Sequence, residues 1–206
     1  MSVRACIAGI LIALGCMAAS GAAHAGGLTT ARALTEALRS HGRAQAALRY
    51  AMTDAAGAPR TVRATLALEA HAFARLDVNT TGEKLVVRAE GGEWLQPVAR
   101  QVLHFRAVQA AAPLRWWRVL LGGDRDARER RSGDAWTLTL LDAKGAAADS
   151  ARVWLDARGL PSRLEVGDGG GNTVTYRLSA WRFLPARGAA AFQLAVPAGY
   201  ESVELP

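Results

Sequence analysis

A chain of 206 residues in which hydrophobic side chains make up 50% and charged ones 21% has enough apolar material for one buried core. The 25 basic side chains outnumber the 18 acidic ones, giving a formal net charge of +7, and Lys84 and Lys144 are the only lysines. The densest basic run, Arg125, Arg128, Arg130 and Arg131, is interleaved with Asp124, Asp126 and Glu129. It therefore lacks the coherent positive field of a nucleic-acid surface, and neither zinc spacing nor a recognition helix accompanies it.

Arg4 precedes an almost unbroken apolar run from Ala5 to Ala19, and Ala23-His24-Ala25 forms a small-x-small exit before Gly26. This is the pattern of a secretory signal over residues 1–25, leaving residues 26–206 as a single exported domain that does not span the membrane. Cys16, in Ala13-Leu14-Gly15-Cys16, offers the alternative of a lipidated, membrane-anchored chain. Both cysteines, Cys6 and Cys16, fall in the leader. Cleavage after Ala25 would leave no thiol, so the exported domain is expected to rely on packing rather than on a disulfide.

Thr29 and Thr30 stand where they can cap a helix from Ala31 to His41, with Leu34 and Leu38 on its apolar face and Gly42 as its stop. From Ala46 the period becomes two: Leu48, Tyr50 and Met52, then Val62, Ala64, Leu66 and Leu68 after a turn at Asp54 to Pro59. Phe73 to Val78, Lys84 to Ala89, Glu93 to Gln96 and Gln101 to Ala107 extend the sheet. After Pro113, Leu114, Trp117, Leu120 and Leu121 recur with helical spacing, and adjacent Trp116 and Trp117 predict one ring turned inward and one toward a groove. The arginine-rich stretch reads as a solvated turn, or as a surface for an acidic partner or anionic headgroups.

Alternation then resumes at Trp136 to Leu140, Ala151 to Leu155, Leu160 to Val166 and Val174 to Phe183, with a short last strand expected at Phe192 to Val196. Trp154 stands on the face opposite Val153 and Leu155, where it either lines a concavity or covers an edge. About ten strands and two helices without βαβ rhythm predict a mainly β fold: a large curved antiparallel sheet, or incomplete β-barrel, with a helical lid.

Catalytic chemistry has little to work with. His41, His71 and His104 are scattered, there is no Gly-x-Ser-x-Gly elbow, and no close His/Asp/Glu group has metal-ligand spacing. The glycines at 167, 169, 170 and 171 lie between strands rather than before a helix, so they predict a hairpin and not a phosphate cradle. The expectation is a protein that is not an enzyme and needs neither cofactor nor metal.

The run Val153-Trp154-Leu155-Asp156-Ala157-Arg158-Gly159-Leu160-Pro161-Ser162-Arg163-Leu164-Glu165-Val166 is followed by Asp168, Gly171, Asn172 and Tyr176-Arg177-Leu178-Ser179. Phe192-Gln193-Leu194-Ala195-Val196-Pro197-Ala198-Gly199-Tyr200 lies near the end of the chain, and Ala89-Glu90-Gly91-Gly92-Glu93-Trp94-Leu95 lies upstream. In this order the motifs resemble the periplasmic outer-membrane lipoprotein carrier family (LolA-like). The family's Arg-Pro pair before its second hairpin is missing, Glu69-Ala70-His71-Ala72-Phe73 standing there instead.

The resemblance implies an incomplete barrel in the periplasm whose apolar concave side, covered by helices, takes a lipid, an acylated protein or a related amphiphile. It also implies inner- or outer-membrane envelope proteins as partners. Leu66, Leu68, Phe73, Trp94, Leu114, Trp117, Leu120 and Leu121 are the expected cavity or lid residues, each equally readable as ordinary core. Arg125, Arg128, Arg130 and Arg131 are the expected partner surface. The alternative is a noncatalytic envelope interaction or sensor module on the same fold, its cavity filled by its own side chains.

Overall fold

The structure is a computed structural model describing residues 28–53, 59–70, 73–88, 90–106, 116–117, 119–121, 127–142, 144–167 and 173–205. The expected leader, Cys16, the turn at 54–58, Leu114, Arg125 and the glycine turn at 168–172 lie outside the described residues. Helix α1 covers Thr29–His41. The strands are β1 Arg43–Thr53, β2 Pro59–Glu69, β3 Phe73–Val78, β4 Lys84–Val87, β5 Gly91–Gln96, β6 Gln101–Arg106, β7 Ala127–Ser132, β8 Ala135–Leu141, β9 Ala147–Leu155, β10 Pro161–Gly167, β11 Thr173–Leu184 and β12 Glu201–Glu204.

All twelve strands join one sheet in the order β12-β6-β5-β4-β3-β2-β1-β11-β10-β9-β8-β7. Consecutive strands pair antiparallel from β1 to β6 and from β7 to β11, β1 joins the two runs by pairing with both β2 and β11, and β7 is left at the edge far from β6. The exception is β12, which lies parallel to β6. The sheet is not closed, and the mainly β, open architecture is as the alternation predicts, with twelve strands where about ten were expected and one principal helix among the described residues where two were expected.

Period-two patterning puts the aliphatic residues on one side. Ala44, Ala46 and Leu48 on β1, Val62, Ala64, Leu66 and Leu68 on β2, and Leu138, Leu140, Val153, Leu164, Tyr176 and Leu178 on the far strands are buried in one cluster with Leu34 and Leu38 of α1. We call this the inner face. A bulge re-phases β11: Gln45 pairs with Arg182 but Ala47 with Ser179, so Ala46 faces two residues, and Ala180 has φ 53°. Leu178 and Trp181, three apart, therefore both turn inward, and Trp181 Nε1–H donates to the Pro161 carbonyl at 2.9 Å. On β5, Gly92 is required by packing, since a Cβ there would meet the Phe105 ring at 2.4 Å.

Two expectations are corrected. Phe192 to Val196 is not a strand: Ala189–Phe192 is a 3₁₀ turn, residues 193–197 form neither helix nor strand, and the last strand is β12. Side chains of the sheet, rather than a neighbouring backbone, bind this segment's main chain. The arginine-rich stretch, from Ala127 onward, is not a turn but β7, which pairs with β8 throughout.

Candidate functional site

The candidate site is the inner face and what covers it. Helix α1 lies there with Thr30, Ala31, Leu34 and Leu38 buried. Its start is not capped by its own threonines. Leu28 occupies the N-cap without a side-chain bond, and Glu129 of β7 takes over the role from about a hundred residues away. The Glu129 carboxylate accepts from the Thr29 and Thr30 backbone N–H groups, the latter at 3.0 Å, and from Thr30 Oγ1 at 3.1 Å. Burial would raise the Glu129 carboxyl's pKa, yet these bonds outweigh it and hold the group below the usual carboxylate range. Gly42 ends the helix at φ 94°, where a Cβ would come within 2.8 Å of the Ala186 nitrogen.

The second cover is the segment after β6. Trp116, Trp117, Val119 and Leu120 are helical, and Leu121 N–H donates to the Trp117 carbonyl at 2.9 Å. All four are essentially without solvent contact and belong to the main cluster. Both tryptophans point into the core, correcting the expectation of one ring in a groove. The segment lies deep enough against the curved sheet that two helix positions about 100° apart are both enclosed. Trp116 Nε1 is buried and finds no acceptor among the described residues.

Among the expected cavity residues, Leu66, Leu68, Trp117 and Leu120 meet in this cluster, and Trp94 and Leu121 pack against it half-buried. Phe73 does not join them. Ala74 faces inward, so its neighbour faces outward, and Phe73 stacks on Phe192 with ring centroids 5.5 Å apart. Tyr50 and Tyr176, a tilted pair 5.3 Å apart, add two hydroxyls to the inner face. Burial raises both above the ordinary phenol value, helped by Glu83 for Tyr50 and by Tyr50 for Tyr176, so both stay protonated donors.

The outer face is polar. Arg128, Arg130 and Arg131 are exposed on β7, with Arg128 and Arg130 sharing one side by alternation and Arg131 on the side of Glu129. Trp154 lies outward between two guanidiniums, Arg152 at 4.7 Å and Arg163 at 4.3 Å from the ring centre, so it covers the sheet rather than lining the inner side. His104 Nε2 is 2.9 Å from Ser202 Oγ, and the His41 ring stacks on Phe183. Among the described residues, no group of three potential metal ligands forms.

Across the same face the chain from Leu184 to Tyr200 runs as a strap. Glu69 accepts from the Arg187 and Gly188 N–H groups at 2.8 and 3.1 Å, and Glu93 from Leu194 N–H at 2.7 Å. Arg75 and Arg88 donate to the Ala191 and Phe192 carbonyls, each at 2.8 Å. Burial would raise the Glu93 carboxyl's pKa, but the bonds from Arg88 and Leu194 and the nearby positive charge bring it below the usual range. Sequence reasoning missed this strap and the Glu129 clasp, because each joins residues about a hundred positions apart.

No family model matches the chain, and no curated protein matches it. Solved structures do. A LolA superfamily protein from Nitrosomonas europaea is 12% identical over 80% of this chain and 97% of its own, with a TM-score of 0.42. An uncharacterized conserved protein from Thermus thermophilus is 15% identical over 85% and 99%, with a TM-score of 0.46. A DUF1329 family protein from Desulfovibrio piger is 10% identical over 80% and 95%, with a TM-score of 0.49. Each of these likenesses is at low identity and a TM-score below 0.5, and it assigns neither a family nor an activity.

Proposed function

We propose that this protein is a noncatalytic periplasmic carrier or binding protein for a lipid, an acylated protein or a related amphiphile. The observation that carries the reading is the nature of the inner cover. Trp116, Trp117, Val119 and Leu120 fill an apolar sheet face with apolar contacts, and Trp116 brings an indole N–H that finds no acceptor among the described residues. An acyl chain taking that place recovers about 0.8 kcal/mol per buried methylene. Its ester or amide carbonyl could accept the idle N–H, whose burial unpaired is unfavourable. Cargo then enters by displacing the tryptophan segment and leaves as the segment returns. Among the described residues no helix is long and apolar enough to cross a membrane. The leader over residues 1–25 supplies export in this reading.

The test is native mass spectrometry of the exported protein, followed by titration of the delipidated protein with acyl peptides and envelope lipids. A one-to-one amphiphile complex that shifts tryptophan fluorescence is the expected result. Absence of any complex across such a panel overturns the proposal.

The same filled inner face favours a second reading, an interaction or sensor module with a self-packed cavity. In that case partner capture survives Trp117→Ala and Leu121→Ala and is lost when Arg128 and Arg131 are reversed to glutamate. The carrier reading expects the opposite pattern.

A further inference from the structure

On the outer face, beneath the strap, the side chains of β1, β2 and β3 enclose a recess of about 160 Å³. Arg43 lies at its wall and is only 9% exposed. Among the described residues its Nε–H finds no acceptor and no carboxylate pairs with its guanidinium. A buried Nε–H without an acceptor is unfavourable, and three arginines against the two acids Glu69 and Asp77 line the recess, so this arrangement calls for an anionic acceptor.

The natural partner would be Glu69, directly opposite Arg43 in the β1–β2 register. Glu69 is already engaged: one carboxylate oxygen accepts from Arg187 N–H and the other from Gly188 N–H. Asp77, the other acid of the recess, takes Arg75 Nε–H at 3.1 Å. Arg75 gives Nη1 to the Ala191 carbonyl, and Arg187 completes the lining. Three arginines therefore line the recess beside two carboxylates whose oxygens the fold has already engaged. Gln45 and Thr65 provide a polar floor shared with an adjoining recess that Arg182 lines.

We propose that this recess is a binding site for a single oxyanion, phosphate or carboxylate, with Arg43 as its principal ligand and Arg75 and Arg187 as its flanks. A planar guanidinium presents paired N–H groups to either anion. The volume takes one such group with a short stem, for which Ala67, Ala191 and Phe192 supply an apolar side, and it is too small for a long acyl chain. The site lies on the face opposite the inner cluster, and its occupation neither requires nor excludes a cargo there.

The experiment is titration of the full exported chain with inorganic phosphate, and separately with acetate, following melting temperature and binding heat against sodium chloride at equal ionic strength. Saturable stabilisation by at least one oxyanion beyond that of chloride is expected. Arg43→Met is expected to lose at least tenfold in affinity and, relieved of its buried charge, to melt no lower than wild type without the ion. Arg43→Lys, which keeps the charge but loses the paired donors, should fall between, and Arg39→Gln, exposed on α1 and away from the recess, should bind as wild type. A vesicle of anionic phospholipid, compared with free phosphate, distinguishes a lipid headgroup from a soluble ion as the source. Stabilisation no greater than that of chloride, or equal in wild type, Arg43→Met and Arg43→Lys, overturns the proposal.

Discussion

The two faces of this sheet are built from alternate residues of the same strands, yet their covers are attached in opposite ways. On the inner face the tryptophan segment is embedded by apolar contact, and α1 has a polar clasp at Glu129. On the outer face the strap is fixed by Glu69, Arg75, Arg88 and Glu93, with one aromatic anchor at Phe192. Apolar contacts are non-directional, so another greasy molecule can replace them. Charged hydrogen bonds are not replaceable in that way, because a departing partner leaves a buried ion unmatched. The inner cover is thus suited to exchange, and the outer one is suited to hold.

The sharpest way to break this contrast is a matched pair of truncations. Trp117→Ala and Phe192→Ala each remove a buried ring, 3% and 1% exposed, and each should cost about 3–5 kcal/mol in urea unfolding. They should differ in rescue. An acyl-chain amphiphile that fills the emptied inner volume should restore the melting temperature of Trp117→Ala but leave Phe192→Ala unchanged. Rescue of both variants, or of neither, would erase the distinction between the covers.

Next in size is Glu69→Gln, which keeps the shape of the side chain but removes the charge from the bonds to Arg187 and Gly188. A loss of about 1–3 kcal/mol is expected, with faster amide exchange and proteolysis confined to the strap. Exchange that instead quickened at Trp116 and Trp117 would show the two covers to be coupled.

Much of this was legible in the sequence, for identifiable reasons. Leu48, Leu66, Leu138 and Val153 alternate with polar residues because one face of their strands is buried, and that pattern located most of the sheet. Leu34 and Leu38 marked α1 in the same way. The signal failed where local pattern and long-range bonding disagree. Phe192-Gln193-Leu194-Ala195-Val196 alternates like a strand, but Arg88 and Glu93 take up its main chain at Phe192 and Leu194. In β7 only Ala127 and Glu129 are half-buried, so Ala-Arg-Glu-Arg-Arg-Ser carries no apolar rhythm and looks like a turn. Arg43 was unremarkable as one arginine among many. Only its burial opposite an already engaged Glu69 sets it apart, and that depends on a strap more than a hundred residues downstream.

The smallest expected effect tests the clasp between α1 and β7. Glu129→Gln leaves a neutral acceptor at the start of α1 in place of a charged one, and the loss of the charge–dipole attraction should cost about 1 kcal/mol. The pH dependence makes this diagnostic. Because Glu129 titrates below its ordinary value in the folded protein, the charge contributes fully above the unfolded carboxyl's pKa. That contribution falls away as pH drops through the lower, folded value. The melting difference between wild type and Glu129→Gln should therefore be constant at neutral pH, shrink only within and below the carboxylate range, and vanish in stronger acid. A difference that persisted unchanged into acid would mean that the side chain holds the helix by shape alone, and the inner cover would then have no ionic fastening.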